Sequence, residues 1–367
     1  MWVRRLTAEA FRNLRIPEAK LSAGINILHG DNAQGKTNFL EAVYFNALGR
    51  TLRADHCREL IPIGQEEAHT SAEFCRDGAQ AGFTVDARVR QQKGKHIKSL
   101  SIDRIPITNT RTLFGSVPIV SFSPDDLRLI KAGPTERRRF MDIEICQLSP
   151  VYYQDLRAYH RALRQRNFLL KAAQKDKSQR ESLPVWDMQL IQYGTRVMRT
   201  RTSFVEKISA IAGTIHQEIT QGKETLYLRY KPAILCGGEY ASVLEKNQAR
   251  DIILGTTQHG PHRDDITFTI RELSARSYGS QGQQRTAALS VKLAEITLMR
   301  ERMGTLPILL LDDVFSELDA ERQKFLLAQV RDVQTLLTCT GLEDAASKMP
   351  SESNVLEIKD GKLRISF

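Results

Sequence analysis

Cysteine is scarce and unpatterned in this chain. Five occur in 367 residues (Cys57, Cys75, Cys146, Cys236 and Cys339), an odd number, scattered and never in C-x-x-C spacing. That argues against a disulfide framework or a zinc site, and for reduced thiols in a cytosol. Long apolar runs are missing too. The longest strongly apolar stretch, residues 306–311, includes a proline and is far too short to cross a bilayer. The opening residues, Met1-Trp2-Val3-Arg4-Arg5, lack the apolar core of a signal peptide. Internal repeats and low-complexity tracts are absent as well. The expected setting is cytoplasmic, with no membrane partner.

In bulk the composition is ordinary, 41% hydrophobic and 26% charged. The length exceeds one small core and suggests two domains, or one large domain carrying an insertion. A net charge of +10 favours a polyanionic partner without identifying one.

One stretch carries specific chemistry. Residues 24–29 read as a short buried strand. Gly30-Asp31-Asn32-Ala33-Gln34-Gly35-Lys36-Thr37 then spell a complete G-x-x-x-x-G-K-[ST] loop, and Phe39, Leu40, Val43, Tyr44 and Leu48 follow at helical spacing. Gly30 and Gly35 let the backbone wrap so that successive N–H groups face phosphate oxygens, and the helix N-terminus adds its partial positive charge. Lys36 is expected on the β- and γ-phosphates and the Thr37 hydroxyl on Mg²⁺. This is a nucleotide-phosphate site.

Around it the chain reads as strands at 2–10 and 25–28, a β-meander over 70–110 and a buried strand at 118–122. Long helices then dominate, at 151–173, 184–219 and 239–254, with one strand at 225–230 among them. Strands return at 265–270, 307–311, 333–338, 354–358 and 362–367, with helices at 281–302 and 320–330. The expected division is 1–132, an α-rich insertion over 133–255, and 256–367.

Ile308-Leu309-Leu310-Leu311-Asp312-Asp313 is an apolar strand ending in two carboxylates. A parallel strand buried on both faces reads as such a run, and ligand chemistry gathers at its carboxyl end. Asp312 there suits an acid holding the Mg²⁺ hydration shell, and Asp313 one that orients or activates the attacking water. An N-capping Asp would explain one carboxylate but not two.

Ser316-Glu317-Leu318-Asp319 follows at once, and upstream Ser280-Gln281-Gly282-Gln283 opens a helix. With these motifs the chain resembles the ABC-type ATPases, whose Walker B and D-loop line up with residues 312–319 and whose signature motif is similar to residues 280–283. Within that superfamily it resembles, over essentially its full length, the RecF family of bacterial DNA gap-repair and recombination mediators. Phe11-Arg12-Asn13, Leu40-Glu41-Ala42, Phe122-Ser123-Pro124-Asp125-Asp126-Leu127, Arg137-Arg138-Arg139-Phe140-Met141-Asp142 and Gly260-Pro261-His262-Arg263-Asp264-Asp265 carry that likeness by their order and spacing.

The resemblance implies an α/β fold: an ABC-type P-loop ATPase head, with a mixed or parallel sheet, helices and an antiparallel β portion, carrying an α-rich inserted arm domain. It implies that Ser280, Gly282 and Gln283 complete the site of a second copy, so that ATP with Mg²⁺ joins two heads. Asp319 then lies at the dimer seam and Arg12 near phosphate or base. Lys36, Asp312 and Asp313 are the catalytic candidates, and Thr37 with Asp312 the Mg²⁺ ligands. Implied partners are duplex DNA near a single-strand gap, RecR and RecO, and downstream RecA and SSB. Two departures matter. The family carries glycine at the position of Ala33, and alanine disfavours a left-handed backbone, so loop conformation or affinity is expected to differ. Transport-type ABC ATPases carry Glu in place of Asp313 and a switch His after the next strand. Here that strand ends Thr338-Cys339-Thr340, so slow hydrolysis is expected, with Thr338 or Thr340 as γ-phosphate sensor.

Residues 131–207 hold twice as many Lys and Arg as Asp and Glu, so most of the net charge lies in the insertion. Arg157, Arg161, Arg164 and Lys171 form one stripe at helical spacing. Arg88, Arg90, Lys93, Lys95 and Lys98 make a second basic patch on a hairpin. Both are DNA-backbone candidates. No sequence-reading helix or base-stacking aromatic platform is recognisable, so binding is expected to follow DNA structure and salt rather than sequence. The triplet Arg137–Arg139 reads either as part of that surface or as a brace. His259, His262, Asp264 and Asp265 superficially suggest a metal site, but Arg263 interrupts them. Two other functions remain in view: a structural clasp like the heads of chromosome-condensing or Rad50-type proteins, which need far longer coiled coils, and a transporter motor, which needs a membrane partner.

Overall fold

The computed structural model describes every residue except 54–56, 77, 79–80, 93, 235–238, 342–351 and 365–367. The chain divides into two compact units, Met1–Asp126 with Met299–Phe367, and Leu127–Leu298.

Two sheets build the first unit. β1 (Trp2–Phe11), β2 (Leu14–Lys20), β4 (Glu67–Cys75), β5 (Phe83–Gln92), β6 (Lys95–Ile102) and β7 (Ile105–Ile107) form an antiparallel sheet in the order β2-β1-β4-β5-β6-β7. The other sheet contains β3 (Ile25–His29), β8 (Ile119–Phe122), β12 (Ile308–Leu311), β13 (Thr335–Cys339), β14 (Asn354–Lys359) and β15 (Lys362–Arg364), in the order β15-β14-β3-β13-β12-β8. Its pairs are parallel except the terminal hairpin of β14 and β15. Every residue of β12 is buried, which is why its sequence is a continuous apolar run rather than an alternation.

Helix α1 (Lys36–Leu48) contacts β1, β4 and β5 of one sheet and β13 of the other. Buried on nearly every side, it shows no polar face. Helix α9 (Ala320–Gln329) follows β12. The sequence reading did not assign β2, whose Pro17 weakens a strand pattern. Proline is tolerated there because β2 lies at the edge of its sheet.

In the second unit β9 (Leu226–Lys231), β10 (Asp265–Ile270) and β11 (Leu273–Ser274) form a small antiparallel sheet. Around it lie α2 (Arg128–Lys131), α3 (Pro134–Leu148), α4 (Pro150–Ala172), α5 (Leu183–Ile219), α6 (Glu239–Leu254), α7 (Ala275–Tyr278) and most of α8 (Gln281–Met303). Pro150 opens α4 behind Ser149, whose Oγ accepts the Tyr152 N–H at 3.2 Å, a proline-led, side-chain-capped start.

Two arginines, wholly buried, stitch this unit together. Arg201 of α5 donates to Asp142 (2.8 Å), Asp264 (2.9 Å), the Pro261 carbonyl (2.6 Å) and the Tyr152 hydroxyl (3.0 Å). Arg166 of α4 donates to Asp187 (2.5 Å), Asp251 (2.6 Å) and Thr257 (2.9 Å). The seam expected at 255/256 falls inside this unit, because β9 pairs along its length with β10 and Arg201 spans the same divide. Among the described residues no helix is long and apolar enough to cross a membrane.

Candidate nucleotide site

The loop at residues 30–37 leaves the carboxyl end of β3, and Asp312 leaves the carboxyl end of β12. β13 lies between those two strands. Its Thr338 fixes the β12 side: Oγ1 donates to Asp312 Oδ1 at 3.0 Å and accepts the Asp313 N–H at 2.8 Å. Thr37 Oγ1 donates to the same Asp312 oxygen at 2.8 Å. A hydroxyl and a buried carboxylate held this close form a hard-oxygen pair that fits Mg²⁺. Lys36 curls into the loop, Nζ donating to the carbonyls of Gly30 (2.6 Å) and Asp31 (2.9 Å), so its charge stands at the centre of the anion cradle. Asp31, Asn32 and Ala33 are exposed, while Gly35 and Lys36 are buried. These donors fit a nucleoside triphosphate with its cation.

Backbone geometry explains the residue choices. Gly30 has φ 146, and a Cβ there would stand 2.3 Å from the Ile358 carbonyl oxygen. Ala33 adopts φ 64 and Asp313 φ 52, both left-handed. The loop thus takes the glycine-like conformation despite alanine.

Arg12, at the β1–β2 turn, pairs its guanidinium with Glu41, a buried residue of α1. It is anchored to the helix of the phosphate loop. Asp319 caps α9, Oδ1 accepting the Arg322 N–H at 2.9 Å, and pairs with the Arg322 side chain. Thr340 is exposed just beyond β13. Cys339 lies beside Lys36 and Asp313, and burial pushes its thiol up, away from the reactive thiolate.

Four contributors carry no site role in the sequence reading: Arg53, Glu41, Asn13 and the β14–β15 turn. Arg53 donates to Asp312 Oδ2 at 2.5 Å, and Glu41 accepts the N–H groups of Leu52 (3.2 Å) and Arg53 (3.5 Å). Gln34 receives the Asp360 N–H on its side chain at 2.6 Å and the Gly361 N–H on its carbonyl at 3.0 Å, so the β14–β15 turn braces the loop. Asn13 donates to the Gln34 carbonyl at 3.2 Å and accepts from Asn38 at 2.7 Å. The Asp360-Gly361 dipeptide is a hairpin-turn signal, and Asn13 and Glu41 lie in the stretches that carry the family likeness; nothing local marks Arg53.

In the second unit, Ser280 and Gly282 are exposed at the start of α8. Ser280 Oγ accepts the Gln283 N–H at 3.2 Å and Gln283 Oε1 accepts the Ser280 N–H at 2.8 Å, a reciprocal capping box. Arg157, Arg161, Arg164 and Lys171 are exposed along α4, and none is drawn into an ion pair among the described residues.

The hairpin patch is weaker than its sequence suggested. Arg88 and Arg90 both face Glu67, at 3.8 and 2.5 Å, and Lys93 lies outside the described residues. Lys95 is exposed. Lys98, exposed along its stem, commits its Nζ to the Gly49 carbonyl at 2.6 Å, and partial burial of that end lowers its pKa. Two members of the Arg137–Arg139 triplet act as a brace: Arg137 is bidentate to Asp265 (2.6 and 3.0 Å) and Arg138 holds the Asp264 carbonyl (2.8 Å). His262 is committed to Tyr159 (2.6 Å) and the Thr257 carbonyl (3.0 Å), and Asp264 to Arg201 and Tyr230, so neither turns to a metal.

Residues 2–356 match the family described as the RecF/RecN/SMC N terminal domain. A DNA replication and repair protein RecF of Lachnoclostridium phytofermentans is 43% identical, over 98% of this chain and 99% of its own length. One of Agathobacter rectalis is 40% identical, over 100% and 99%. Among solved structures, the recombination mediator protein RecF with ATP, of the RecFOR pathway, is 30% identical, with TM-score 0.90 over 100% of this chain and 98% of that one. An Smc head bound to the C-winged helix domain of ScpA, 15% identical with TM-score 0.56 over 100% and 97%, shares the fold alone.

Proposed function

The chain belongs to the RecF family of DNA replication and repair proteins, and from that premise we propose that it is an ATP-dependent DNA clamp of recombinational gap repair. ATP with Mg²⁺ binds the loop of one copy through residues 30–37, Thr37 and Asp312, and is covered by Ser280, Gly282 and Gln283 of a second copy. Asp313 orients the attacking water. Duplex DNA near a single-strand gap lies against the basic face of α4, and slow hydrolysis opens the clamp. RecR and RecO are the partners such a mediator works with, ahead of RecA loading on SSB-coated strands.

Gly282 carries the composite-site reading. Even in the first turn of a helix glycine costs more backbone entropy than alanine. Yet a Cβ at 282 would meet only Ser280 Oγ, 4.0 Å away, among the described residues. Its own chain therefore gives no steric reason for a bare backbone. A surface approaching from outside does, and a partner-held phosphate at a helix N-terminus is such a surface.

Light scattering with and without ATP, paired with gapped-duplex titrations, tests the reading. Wild type is expected to dimerise only with ATP, and to bind DNA more tightly then, with steep salt dependence. Lys36→Ala is expected to stay monomeric, and Asp313→Asn to remain dimeric long after wild type has turned over its ATP. A wild type that stays monomeric at saturating ATP sinks the proposal. A structural clasp without turnover would leave Asp313→Asn indistinguishable from wild type.

A further inference from the structure

Between α5 and β9 stands Glu224, its side chain 14% exposed. Its Oε1 accepts a hydrogen bond from Gln283 Nε2 at 2.8 Å, and the Arg271 guanidinium lies 3.6 Å from the same oxygen. Its Oε2 faces His216 Nε2, near the end of α5, at 3.6 Å. The Arg271 N–H donates to the Thr225 carbonyl at 3.1 Å and Thr220 Oγ1 to the Glu224 carbonyl at 3.4 Å, so the loop presenting this carboxylate is itself tied down.

Gln283 is therefore read at both ends of its amide. Its oxygen accepts the Ser280 N–H at 2.8 Å and its nitrogen donates to Glu224. A flipped amide would set N–H₂ against N–H and carbonyl against carboxylate, two repulsive contacts replacing two favourable ones. One orientation survives, and with it one conformation of the capping box that shapes residues 280–283. Holding a binding loop in its final form before its partner arrives removes part of the ordering cost of association.

We propose that Glu224 is a positioning residue that holds the 280–283 loop, through Gln283, in the form on which a second copy's nucleotide docks. The proposal rests on the reading of that loop as a signature motif acting in trans. Glu224 belongs to the Leu127–Leu298 unit and the phosphate loop to the other. Its loss therefore weakens association while sparing nucleotide binding by a single chain.

Full-length E224A, E224Q and S280R, assayed by sedimentation with ATP, by titration of a fluorescent ATP analogue at monomer concentrations and by thermal melting, test it. E224A is expected to weaken ATP-dependent self-association about tenfold, with single-chain nucleotide affinity unchanged and the melting temperature lowered by at most a few degrees. E224Q keeps a carbonyl acceptor for Gln283 Nε2 and is expected to restore most of the association. S280R places a bulky cation in the loop and is expected to abolish association. If S280R is blocked but E224A associates like wild type, the role of Glu224 is overturned and the signature reading stands. If S280R also associates like wild type, the reading beneath it has failed. Weak association that tracks a larger drop in melting temperature, with E224Q as weak as E224A, likewise overturns the proposal.

Discussion

Ala33 sits at φ 64 in the middle of the phosphate loop. A left-handed residue bearing a Cβ costs about 1–2 kcal/mol, while glycine there would lose about 0.5–1 kcal/mol more backbone entropy on folding. Strain relief wins by a small margin. Ala33→Gly is therefore expected to tighten nucleotide binding by a few-fold and to leave melting unchanged or slightly raised. Titration of a fluorescent ATP analogue checks this, and weaker binding would show that alanine presets the loop. Asp313 carries the same kind of strain at φ 52, next to Asp312, where neighbours over-determine it: its N–H is fixed by Thr338 and its carbonyl by Ser316 at 2.7 Å.

At the scale of elements, what the sequence could show was whatever repeats locally. The β3–loop–α1 junction, the apolar β12 with its two carboxylates and the long helices each announce themselves through motif or period. The contacts that finish the site do not. Arg53 meets Asp312, Gln34 meets Asp360 and Glu224 meets Gln283 across separations of 259, 326 and 59 residues, and no periodicity marks such pairs. The Arg166 and Arg201 networks were hidden for another reason: in a basic segment a buried arginine looks like any other.

One consequence of that buried packing is measurable. Burial pushes the His262 pKa down to about 4, below its usual 6.5. The unfolded chain then binds a proton that the folded chain refuses between those values. The stabilising contribution is present above about pH 6.5 and is lost as pH falls toward about 4. Linkage puts the loss at roughly 3 kcal/mol. Urea unfolding followed from pH 7 to pH 4 is expected to show that slope, and His262→Gln to flatten it. An equal slope in the variant would assign it to other groups.

For the whole molecule, the order in which the two units can fold follows from how the chain is threaded. β3 has β13 on one side and β14 on the other, so both of its neighbours come from the last third of the sequence. The Leu127–Leu298 unit is continuous. A ribosome adding about 5–20 residues per second thus exposes β3 and its loop tens of seconds before either neighbour exists, while the second unit is already whole. Limited proteolysis of ribosome-stalled chains is expected to find residues 127–298 protected once residue 298 has emerged, and residues 25–35 protected only once residue 359 has emerged. Early protection of 25–35 would contradict this. Until its closing strands arrive, the phosphate-binding segment is the exposed sheet edge of a nascent chain, the part most in need of shielding from its neighbours on the polysome.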